Sequence, residues 1–203
     1  MLDPGKFLTY CEADRLLSTA QQRACSAKTR GGKIAVRDYF IVHLGLATGL
    51  RVMEIAALKC GDVFLNDNIC SLIVRKGKGS KARRVLFKGP FRQHCEEYLE
   101  WKRNINESLA KEAPLIVSSN TGGHMTTRAI EKVFKRCAVM AKLQSRFSIH
   151  SLRHTYASLL LEASDGNIRF VQKQLGHSNI TTTQIYADIM ASTTKRTLDR
   201  FPV

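Results

Sequence analysis

The stretch His150-Ser151-Leu152-Arg153-His154-Thr155-Tyr156-Ala157-Ser158 concentrates three side chains that can carry positive charge and donate hydrogen bonds. Positions three and four apart share a helix face, so His150, Arg153 and His154 should point broadly the same way. Leu152, Tyr156, Leu159 and Leu160 are expected to turn into the core, which would mount the cationic cluster on a firmly packed helix. His150 and His154 also stand at the i,i+4 spacing of two metal ligands. No Glu follows His150 as in an HExxH motif, and Arg153 would set positive charge beside a cation, so no metal is expected there.

Two other stretches carry polar chemistry. One is Thr48-Gly49-Leu50-Arg51-Val52-Met53-Glu54, which puts a lone Arg at a helix start; the other is Gly176-His177 with Tyr186 further along. Taken singly, each has an ordinary reading, since a lone Arg usually lies on the surface and a lone Tyr usually packs half-buried. The charge balance favours something more. Thirty-two Lys and Arg against 17 Asp and Glu give a formal net charge of +15, which suits a polyanionic partner, most simply nucleic acid. The acids are scattered, so the clustered carboxylates of a two-metal nuclease are missing. The basic run Lys76 to Lys81 lacks the GxxxxGK[ST] order of a phosphate-binding loop.

The elements that must position these residues are mostly helical. Thr9 and Glu12 form a capping-box signature opening a helix through about residue 23. A polar loop is expected over 26–33, then helices over 34–47, with Phe40, Ile41, Leu44 and Leu46 for the core, and over 51–58. Strand patterns follow at 62–65, 69–75 and 82–87, with turns at 66–68 and 76–81. Helices resume at 91–104, 127–141, 151–162, 168–174, 181–186 and 192–200, with a short extended piece at 115–118. The expected class is mainly α with a small antiparallel β-sheet (α+β), as one domain. The six cysteines match no zinc spacing and read as reduced thiols. No apolar run is long enough for a membrane helix, and no signal peptide is read.

In this order the motifs resemble the tyrosine recombinase, or phage integrase, family. They are Gly-Leu-Arg51-x-x-Glu, Gly-Lys78-Gly between two strands, His150-x-x-Arg153, and Gly-His177 followed by Tyr186. The resemblance covers almost the whole chain. It implies a catalytic domain over residues 1–203, including a tail at 191–203 of the kind that docks onto a neighbouring subunit. The additional N-terminal helical domain that members usually carry is expected to be absent.

The resemblance also implies a chemistry. Guanidinium groups of Arg51 and Arg153 would hold the oxyanion of an attacked DNA phosphodiester, with a further hydrogen bond from His177. Tyr186 would attack phosphorus, leaving a 3′-phosphotyrosine and a free 5′-hydroxyl. His150 is the candidate proton acceptor and Lys78 the candidate general acid for the 5′-oxygen. The covalent link conserves the bond energy, so neither nucleotide, metal nor other cofactor is expected. The implied activity is site-specific DNA cleavage and rejoining, on double-stranded DNA, by a homotetramer spanning two sites. The expected setting is the cytoplasm, at the nucleoid, with no membrane partner. Alternative readings are a type IB topoisomerase-like enzyme that relaxes supercoils and a non-catalytic DNA-binding regulator.

Overall fold

The computed structural model describes residues 7–66, 69–75, 82–87 and 89–176. The first helix, α1 (Tyr10–Lys28), starts at the expected cap: the Thr9 side chain accepts from the Glu12 N–H at 3.2 Å, and Glu12 accepts from the Thr9 N–H at 2.8 Å. Such a cap is worth about 1 kcal/mol. The helix runs five residues beyond the expected end, replacing the first part of the expected loop. Its inner face carries the small residues Ala13, Ala20 and Ala24 beside Leu16, which lets it lie close against α2 (Lys33–Thr48). Alanine is also the best helix former, and that carries the segment past the polar stretch around Ser26.

Helix α2 is central. It packs against α1, α4 (Pro90–Asn104), α5 (Thr127–Met140) and α6 (Ile149–Ala163), and Phe40, Ile41 and Leu44 are fully buried while Leu46 is half-buried. Phe40 stacks on Tyr98 of α4 with ring centroids 3.7 Å apart. Because α2 is buried over most of its length beyond the first turn, its polar residues there need partners. Asp38 accepts from Arg23 at 2.6 Å and from both Nε and Nη2 of Arg136 at 2.9 and 2.8 Å. Arg37 pairs with Glu107, which also holds the buried Lys102 at 2.7 Å. His43 meets His94 of α4, Nδ1 to Nδ1, at 2.9 Å. One of these two rings donates and the other accepts.

After α2 come the short helix α3 (Val52–Ala57), a 3₁₀ turn at Cys60–Asp62 and a three-stranded antiparallel sheet in the order β1 (Val63–Phe64), β2 (Cys70–Val74), β3 (Arg83–Phe87). The register pairs Val74 with Arg83 and Cys70 with Phe87. The expected extended piece forms an isolated bridge from Val117 to His124 ahead of α5. The last described helix is α7 (Ile168–Leu175). The class is thus the expected one, mainly helical with a small antiparallel sheet. Residues 67–68 of the turn expected at 66–68, the turn expected at 76–81 and the helices expected at 181–186 and 192–200 lie outside the described residues. Four of the six cysteines are buried, while Cys11 and Cys25 are exposed thiols. Among the described residues no helix is long and apolar enough to cross a membrane.

Candidate active site

Two helix ends meet at one half-buried carboxylate, Glu54. Helix α2 stops at Gly49, whose left-handed φ of +60° sends its N–H back to the Gly45 carbonyl at 3.0 Å. A Cβ at Gly49 would lie 2.3 Å from Cδ1 of Tyr156, so only glycine lets this turn pass under α6. Two residues later Arg51 caps α3 in an extended conformation. Glu54, one turn into α3, reaches back to the Arg51 N–H at 2.8 Å and to Arg51 Nη1 at 3.2 Å. The Arg51 side chain remains 43% exposed, so its guanidinium is presented to solvent.

Arg153 occupies the opposite wall, with its side chain only 8% exposed. Its Nη1 donates to the Gly49 carbonyl at 2.6 Å and its Nη2 to the Leu175 carbonyl at 2.8 Å. Nη1 also lies 3.9 Å from Glu54. Arg153 therefore ties the end of α2 to the end of α7, immediately before Gly176. The expectation that His150, Arg153 and His154 share one face needs refinement. His150 is exposed on the first turn of α6 and His154 is half-buried, whereas Arg153 points inward between Leu152 and Tyr156, both buried. Leu159 and Leu160, expected in the core, are only half-buried; Ala157 and Leu161 take the buried positions instead.

A residue not singled out from the sequence completes the cluster. Arg83, at the start of β3, grips Glu54 with both guanidinium arms, Nη1 to Oε1 at 2.7 Å and Nη2 to Oε2 at 2.9 Å. Its Nε donates to the Gln174 carbonyl of α7 at 3.2 Å. The strand pattern held the clue: alternate residues share a face, and Arg83 lies on the same face as the buried Val85 and Phe87. Burial alone would raise the Glu54 carboxyl, but the Arg83 hydrogen bonds, the Arg51 N–H and the charges of Arg83 and Arg153 outweigh it and hold the group at about 2. The carboxylate is therefore ionised across the physiological range.

The structure thus brings Arg51 and Arg153 around one anchor, with His150 on the helix that carries Arg153. Lys78 falls in the segment joining β2 to β3, His177 follows Gly176 directly, and Tyr186 lies beyond it. All three are outside the described residues. Of the remaining tyrosines, burial pushes the Tyr156 phenol up to about 12 and raises Tyr98 and Tyr39, which suits packing rather than attack. Among the described residues no group of three or more His, Cys, Asp and Glu could hold a metal ion.

Three arginines gathered around one carboxylate, where α3, α6 and α7 converge on a small antiparallel sheet, define the class of protein by its architecture. Its lineage follows from comparison: the phage integrase family model matches residues 6–192, and the chain belongs to that family. It is 32% identical over 157 residues to the tyrosine recombinase XerC of Proteus mirabilis, covering 77% of this chain and 48% of that protein. It is 32% identical over 183 residues to a tyrosine recombinase of Agathobacter rectalis, covering 90% and 58%. The chain spans about half the length of the curated relatives it matches. Among solved structures, the XerA recombinase is 30% identical with a TM-score of 0.76, covering 98% of this chain and 66% of that one. The XerH site-specific recombinase, solved on a palindromic difH substrate after cleavage, is 25% identical with a TM-score of 0.78, covering 96% and 53%. A lambda integrase dimer on a core site, 18% identical with a TM-score of 0.64, covering 89% of this chain and 47% of that one, shares the fold.

Proposed function

We propose that this chain carries the catalytic domain of a site-specific DNA recombinase, cleaving and rejoining strands through a 3′-phosphotyrosine intermediate. The observation that carries the reading is the convergence of Arg51 and Arg153 on Glu54, in a chain of net charge +15 that belongs to the phage integrase family. A phosphodiester gains negative charge on its non-bridging oxygens as it becomes five-coordinate. Fixed guanidinium donors stabilise that charge more than they stabilise the ground state.

In this reading Arg51 and Arg153, with His177, hold the scissile phosphate. The Tyr186 oxygen attacks phosphorus and the 5′-oxygen leaves. His150 accepts the phenolic proton and Lys78 protonates the leaving oxygen. The reverse attack by a 5′-hydroxyl of another strand reseals the backbone and releases the tyrosine. The partner is double-stranded DNA, handled by four copies over two sites at the nucleoid.

The test begins with the substrate. Selection of bound duplexes from a random pool supplies the site, and a nick placed a few nucleotides 3′ of the cleavage point makes a suicide substrate whose short 5′-hydroxyl fragment escapes. The expected result is a covalent protein–DNA adduct with the natural chain and none with Tyr186→Phe, at unchanged affinity. An adduct at the natural level with Tyr186→Phe would overturn the assignment of the nucleophile.

A further inference from the structure

Glu54 raises a problem for the reading above. A carboxylate with only 11% of its side chain exposed, beside Arg51 and Arg153, would cancel part of the positive charge that the phosphate needs. Coulomb attraction in a pocket of low effective dielectric would also draw both guanidiniums toward it. The structure contains a counterweight. Arg83 occupies both Glu54 oxygens with a two-armed fork, and its own side chain is only 10% exposed. Its third donor, Nε, is spent on the Gln174 carbonyl. Arg83 is thereby committed to protein groups and turned away from solvent, unlike Arg51.

The packing fixes that commitment. Gly176 turns with φ +65°, and a Cβ there would lie 2.5 Å from Arg83 Cδ, so the α7 end closes directly over the Arg83 stem. Leu86 of the same strand donates its N–H to the Gln174 side chain at 2.9 Å. One arginine therefore joins three pieces: strand β3, which follows the Lys78 segment, helix α3 with Arg51, and the α7 end that leads into His177.

We propose that Arg83 is a positioning residue that saturates Glu54, leaving the charge of Arg51 and Arg153 for the scissile phosphate while fixing the β3 strand to the ends of α3 and α7. With Arg83 the cluster holds three guanidiniums against one carboxylate; without it, two. Glu54 then serves to place the Arg51 backbone without cancelling its side chain. This rests on the recombinase reading.

The test uses two versions of the nicked duplex, one with the natural phosphodiester and one with a methylphosphonate at the scissile position. The methylphosphonate is uncharged and has little need of surplus positive charge. For Arg83→Gln, single-turnover cleavage of the phosphodiester is expected to fall about 10- to 100-fold, the usual cost of losing a residue that supports a primary ligand. DNA affinity should hold within about twofold, because the Arg83 guanidinium is bonded to Glu54 and the Gln174 carbonyl and is only 10% exposed. On the methylphosphonate the loss should shrink to less than about threefold. Arg83→Lys keeps the charge with a poorer fork and should fall between Arg83→Gln and the natural chain on the phosphodiester. It also serves as the test variant if Arg83→Gln fails to fold by circular dichroism, with the same contrast between substrates expected. Equal losses on both substrates would mean general distortion, and no loss on either would mean a bystander; each overturns the proposal. Failure of the natural chain to form an adduct with either duplex would instead overturn the recombinase reading, and the role of Arg83 with it.

Discussion

Arg51 and Arg153 converge on one carboxylate, yet their removal should differ sharply in thermodynamic cost. Arg51 is 43% exposed and, among the described residues, its side chain makes one ion pair, at 3.2 Å, with Glu54 three positions along. Exposed pairs of this kind contribute about 0.3–0.5 kcal/mol. The stronger contact, from the Arg51 N–H to Glu54, belongs to the backbone and survives in Arg51→Ala. That variant should therefore lose less than about 1 kcal/mol of stability. Arg153→Ala removes two buried, charge-assisted bonds to the Gly49 and Leu175 carbonyls, each worth about 1.5–3 kcal/mol, and leaves both acceptors unpaired. Allowing for partial rescue by water, about 3–5 kcal/mol should be lost, a large part of the usual 5–15 kcal/mol total. Urea unfolding followed through the buried Trp101, the sole tryptophan, measures both. Both variants should fail to form the covalent adduct, but only Arg153→Ala should shift the urea midpoint strongly. Losses of equal size, or a loss below about 1 kcal/mol for Arg153→Ala, would refute the assignment of Arg153 as the tie between α2 and α7.

Further tests address the rest of the scaffold. Burial holds His43 at about 4, and burial with the neighbouring His43 and Lys28 charges holds His94 at about 3, so the folded state refuses protons that the unfolded chain accepts below its usual 6.5. The stabilisation is present above that value and is lost as pH falls toward about 4; by about pH 5 the loss should amount to about 2 kcal/mol for each histidine, and His43→Leu/His94→Leu should flatten the slope of unfolding free energy between about pH 5 and 7. An unchanged slope would count against buried neutral rings. Gly49→Ala combines a left-handed backbone, costing about 1–2 kcal/mol, with a clash on Tyr156, costing about 1–3 kcal/mol more. Gly122→Ala, also at positive φ but with open space around its Cβ, should show only the first cost in the same urea titration.

The local signals were readable because each acts over a few residues. The Thr9–Glu12 cap and the Gly49 stop both appear where their chemistry requires, and the apolar run of β2 with the alternation of β3 marks the sheet. What the sequence could not display is pairing across distance. Asp38 meets Arg136 from 98 positions away, and Arg37 meets Ser119 from 82. Arg153 illustrates both sides. Its type and its spacing from His150 pointed to anion chemistry, but its place on the buried face of α6 followed from position. Tyr156 and Ala157, three and four residues on, are both buried, so the same periodicity that grouped it with His150 also grouped it with the core. Arg83 was missed because it stands beside Arg84 in a basic run, where only the twofold alternation separates the inward side chain from the outward one.

The tie made by Arg153 also sets an order in time. It bridges to Gly49 across 104 positions, and the Leu8 N–H closes onto Thr155 across 147. A ribosome delivers Arg51 long before α6 exists, and the entropy of closing such loops is met only when the late helices arrive. During synthesis the early half of the chain therefore carries half a site, with a guanidinium but no opposing wall. A nascent or truncated chain that stops before α6 holds Arg51 and Glu54 but lacks the Arg153 tie that closes the cluster.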